Sequence, residues 1–157
     1  MHSKRIYLLG LMALAALMML SPVFVRFAYA QAYVKGYHED IRMLKSKGRE
    51  AIFKAMELHA RVAVMLTQGS QDVETMYKVL DQSYGYQANS IAMMEKITKS
   101  SRFKDPIMLK LIQDMYNWGK PGTLLIKGEI SNQEFDKALA TLEKVRGLHM
   151  QVSTMFY

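Results

Sequence analysis

Residues 6–25, IYLLGLMALAALMMLSPVFV, carry no charge, and from Phe27 onward the apolar residues recur in alternating steps of three and four. The first pattern, preceded by Lys4 and Arg5 and followed by Ala28-Tyr29-Ala30, has the layout of an export signal: a basic start, an apolar run and a small-x-small site. At about 1.5 Å per residue the same run reaches roughly 30 Å, which also suits an uncleaved membrane anchor. Both readings leave the N-terminus on the cytoplasmic side by the positive-inside rule. Residues 1–30 are therefore expected to be a signal peptide or anchor, and residues 31–157 an extracytoplasmic, most naturally periplasmic, helical domain.

The second pattern runs Phe27, Ala30, Val34, Tyr37, Ile41, Leu44, Gly48, Ala51, Ala55, Leu58, Val62 and Met65. A stripe this long predicts one long helix with a bundle-type seam. Gly48 falls on that seam, where it weakens the helix or marks a close helix contact. Thr67-Gln68-Gly69-Ser70 breaks the pattern, and Ser70 or Asp72 can cap a second helix over about residues 71–99. Its apolar positions are Val73, Met76, Tyr77, Leu80, Tyr84, Ala88, Ile91, Met94 and Ile97.

Asp105-Pro106 reads as an N-cap followed by proline at the first helical position, opening a third helix with Ile107, Met108, Leu111, Ile112 and Met115. Trp118-Gly119-Lys120-Pro121-Gly122 stops or kinks it, and residues 123–127 add a further helical turn. Ser131-Asn132-Gln133-Glu134 has the form of a capping box, predicting a fourth helix over about 132–154 with Phe135, Ala138, Leu142, Val145, His149 and Val152 on one face. Gly128-Glu129-Ile130-Ser131 through Glu134-Phe135 resembles the turn of the SHOCT helical hairpin over about a dozen residues, which implies a helix pair and nothing of function. Four helices with short connections predict an all-α, antiparallel four-helix bundle-like domain.

Charge narrows the function classes. All 14 acids follow residue 30, as do all of the 21 bases except Lys4, Arg5 and Arg26, so the domain has an excess of four bases. That is too mild for a nucleic-acid binder. With no cysteine, disulfides, thiolate metal sites and a covalent CxxCH haem site are excluded. His38-Glu39 begins like HExxH, but Arg42 stands where the second zinc ligand belongs, and Gly119-Lys120-Pro121-Gly122-Thr123 lacks the spacing of a phosphate loop. No catalytic residue, metal site or cofactor is expected, and the chain reads as a non-enzyme.

Two features point to binding. Arg42, Lys45, Lys47 and Arg49 have no acid among them, nor do Lys96, Lys99, Arg102 and Lys104. An antiparallel helical hairpin would place both groups at one end, fit for protein subunits of a membrane-associated complex or for anionic lipid. The expected role is a structural or accessory subunit of a cell-envelope assembly, such as a secretion or conjugation complex. The alternative is a haem-binding electron carrier resembling the small exported four-helix b-type cytochromes, with His149 and Met43 or His38 as ligands, or else a periplasmic chaperone or sensor domain. Ten methionines after residue 30 are mostly spread along the helical stripes, where they serve as adaptable filling rather than soft metal ligands.

Overall fold

The computed structural model describes residues 22–100 and 105–157, with side chains from residue 36 onward. Most of the apolar N-terminal run, and Arg102 and Lys104, lie outside the described residues. The chain divides into two compact units between Asp40 and Ile41. Among the described residues all regular structure is helical: α1 Pro22–Thr67, α2 Val73–Ser100, α3 Pro106–Trp118, α4 Lys120–Ser131 and α5 Phe135–Thr154. None of these is long and apolar enough to cross a membrane.

Local chemistry sets most of the helix ends. Gly69, at φ 68°, closes α1. The Ser70 N–H returns to the Met65 carbonyl and the Gly69 N–H to that of Leu66, which satisfies two carbonyls that the last turn leaves free. Asp72 Oδ1 then accepts from the Thr75 N–H at 3.0 Å and starts α2. Asp105 Oδ1 accepts from the amides of Ile107 and Met108, with Pro106 in the first turn of α3, as the Asp-Pro pair predicts. Gly119 separates α3 from α4. A Cβ there would lie 2.7 Å from the Met115 carbonyl oxygen and 3.2 Å from Gln87 Oε1, so only glycine fits this bend.

The predicted capping box does not form. α4 is longer than the single turn expected and runs through Gly128 to Ser131, so Ser131 ends a helix instead of preceding one. The Glu134 N–H bonds to Glu129 O and the Gln133 N–H to Ile130 O, the same closure as at Gly69, here with Gln133 at φ 61°. A non-glycine residue in that region costs about 1 kcal/mol. The Glu134 carboxylate pairs with Lys137 Nζ at 2.6 Å, and α5 begins at Phe135 without a side-chain cap.

In the second unit, Ile41–Tyr157, the core falls into two apolar clusters. One gathers Ile52, Ile91, Met94, Leu111, Met115 and Val152. The other gathers Val62, Met76, Leu80, Ile126, Ile130 and Leu142. The α3 and α5 faces match the stripes read from sequence except at Ile107, which is 62% exposed because it lies beyond the edge of the buried face. In α1 the seam shifts: after Ala55 the buried positions are His59, Val62 and Leu66, in place of Leu58 and Met65. In α2, Ser83, Gln87 and Ser90 turn inward where Tyr84 and Ala88 were expected. Gly48 marks a close contact, because the Phe156 ring occupies the space its Cβ would take.

Candidate functional site

The displaced seam places polar side chains between the two apolar clusters. His59 of α1 and His149 of α5 are both buried, their rings stacked with centroids 5.0 Å apart and planes 22° from parallel. The Gln87 amide nitrogen lies 3.4 Å from His59 Nε2. Ser83 Oγ donates to the Ala55 carbonyl at 3.1 Å, which fixes α2 against α1 one turn away. His59 Nδ1, Gln87 Oε1, Ser90 Oγ and both nitrogens of His149 make no hydrogen bond to another protein group.

Burial disfavours the charged imidazolium at both positions. It pulls His59 down to about 4, and burial together with repulsion from His59 pulls His149 down to about 3. Both rings are therefore neutral at pH 7. Nearly parallel rings present their faces to each other, whereas ring nitrogens coordinate in the ring plane, so this stack does not form a ligand pair around one ion. Among the described residues no three histidine, aspartate or glutamate side chains converge as a metal cluster would require.

His149 is thus a core residue, as its place on the α5 stripe indicated, and Met43 is 49% exposed. Met43 precedes His59 by sixteen residues on the same helix, a rise of about 24 Å, and His149 lies against His59. Met43 and His149 accordingly do not meet on one iron. His38 is exposed and belongs to the first unit. His59, which the stripe read from sequence passes over in favour of Leu58, is buried; its signal in the sequence is the spacing of four from Ala55 and three to Val62.

The basic residues have divided roles. α1 and α2 run antiparallel, with Lys47 and Lys54 across from Tyr86, Asn89 and Met93, so Lys96 and Lys99 lie level with the turn before Lys47. Arg42, Lys47, Lys96 and Lys99 face solvent, and none is ion-paired among the described residues. Lys45 Nζ donates to Tyr157 O at 3.4 Å, and the Arg49 guanidinium lies 5.0 Å from the centre of the Tyr157 ring. Lys45 and Arg49 therefore hold the C-terminal tail across α1.

A further surface feature lies between α3 and α5. A groove of about 750 Å³ beside Ile107, Met150 and Met155 adjoins one of about 390 Å³ beside Trp118 and Leu148, and the two share Asp114 and Gln151. No protein-family model matches the chain, and no curated protein or solved structure is detectably similar to it.

Proposed function

We propose that residues 31–157 form an antiparallel four-helix bundle-like domain that acts by binding, as a structural or accessory subunit of a membrane-associated cell-envelope assembly of the secretion or conjugation kind. The observation that carries this reading is the solvent-facing basic end made by Arg42 and Lys47 of α1 with Lys96 and Lys99 of α2. The export-type pattern of residues 6–25 supports a location outside the cytoplasm, released or anchored, where acidic protein surfaces and anionic lipid headgroups would be the counterparts. Each base near such a surface contributes up to about 1 kcal/mol, so four together raise binding by up to roughly a thousandfold.

The full chain, extracted from membranes in mild detergent, is expected to co-purify with its partner subunits at low salt. The association weakens as the screening length falls from about 10 Å at 0.1 M salt to about 3 Å at 1 M. Glutamine at Arg42, Lys47, Lys96 and Lys99 reduces it while leaving helicity unchanged. Association indifferent to both salt and these substitutions would refute the reading.

A further inference from the structure

Ile107, Lys110, Asp114 and Trp118 follow one another along α3 at steps of three, four and four, and so lie on one flank of the helix. That flank borders the groove shared with α5. Ile107 is 62% exposed and Trp118 40%, and among the described residues neither Lys110 nor Asp114 has an ion-pair partner. The stripe is apolar at both ends and carries one base and one acid at nearly equal distances from its middle, close to Ile112. Such an arrangement is complementary to itself when reversed.

We propose that this flank binds a second copy of the same chain, with the two α3 helices antiparallel across a two-fold axis level with the midpoint between Lys110 and Asp114. An isologous contact sets residue i against j and j against i. Here Lys110 meets the partner's Asp114 and Asp114 meets the partner's Lys110, while Ile107 and Trp118 face each other in the same reciprocal way. A parallel pairing would instead set Lys110 against Lys110 and Asp114 against Asp114. The groove agrees with the reversed direction: its wider end lies beside Ile107, Met150 and Met155, where antiparallel pairing delivers the partner's indole. Methionine lining suits such a cavity because its side chain adapts to the shape it receives.

α3 has 13 residues and is about 20 Å long, so the contact is short and self-association is sought at high protein concentration. The inference goes beyond the accessory role proposed above and uses a different face, so loss of basic-end binding with dimerisation intact, or the reverse, separates the two.

The test is a charge exchange in the full-length chain, read by native mass spectrometry from detergent at up to about 100 μM. The unaltered protein is expected to show a concentration-dependent dimer. Lys110→Asp and Asp114→Lys each set like charges opposite one another and weaken self-association at least about tenfold. An equimolar mixture of the two variants forms the mixed dimer, because each chain then supplies what the other lacks. Circular dichroism confirms that both variants keep their helices. A chain that stays monomeric throughout, a dimer indifferent to either variant, or a mixture that yields no mixed dimer overturns the proposal; the last two would place any association at another surface.

Discussion

Lowering the pH should unfold this domain through two residues. His59 and His149 titrate at about 4 and about 3 in the folded protein, against about 6.5 in the unfolded chain. Between these values the unfolded state binds protons that the native state refuses, and stability falls as pH falls. One pKa unit corresponds to about 1.4 kcal/mol. By pH 4.5 each histidine has therefore removed about 2.6 kcal/mol, and the pair about 5, from a total that for a domain of this size lies near 5–15 kcal/mol. About one unit or more above pH 6.5 both rings are neutral in either state and the full stability is present. Urea unfolding followed by circular dichroism at pH 7.5, 6, 5 and 4.5 should thus show a slope approaching about 2.7 kcal/mol per pH unit below pH 6. His149→Leu should flatten it to about half and raise stability at pH 7.5, since it removes two buried nitrogens without partners from an apolar setting. Stability that stays constant from pH 7.5 to 4.5, or a slope unchanged when both histidines are replaced by leucine, would refute the assignment.

Gly48→Ala should destabilise by about 1–3 kcal/mol, because the added methyl must displace the Phe156 ring, and Phe156→Leu should relieve part of that cost in a double-variant denaturation cycle. Asp105→Ala, which leaves the amides of Ile107 and Met108 without their acceptor, should cost about 1 kcal/mol in the same assay. Haem added to the purified protein should give no stable stoichiometric Soret shift, since the His149 ring is packed on His59 in the core and Met43 lies about 24 Å along α1 from that position. A tight complex abolished by His149→Ala would show that the core opens to admit it.

The contrast between the helix ends and the core is instructive. Asp105-Pro106, the break at Gly69 and the bend at Gly119 were legible because each acts within about four residues, through one side-chain acceptor, one positive φ or one missing amide. The same argument failed at Ser131 to Glu134. A serine followed three residues later by glutamate fits a helix start, yet the chain around it could equally close the helix before, and the choice fell to how far α4 could bury Ile126 and Ile130. Of the candidate binding residues, the clustering of Arg42 and Lys47 with Lys96 and Lys99 was readable once an antiparallel hairpin was assumed. That Lys45 and Arg49 are taken by Tyr157 was not, since those residues meet only when the chain has folded back along α1.

By itself the sequence determined that the domain is helical, where most helices begin and end, which faces of α3 and α5 are apolar, and that no disulfide holds them. It offered a close helix contact as one of two readings of Gly48, and the Phe156 ring lying in the space of its Cβ decided between them. Only the tertiary structure decided the phase of the seams in α1 and α2. His59 can turn inward because Gln87, 28 residues away, meets its ring nitrogen and His149 of another helix covers its face. Periodicity assigns polar residues to the outside by default, since burying one without a counterpart is costly. Whether a counterpart exists is a property of the neighbouring helices, and the spacing along a single helix carries no record of it.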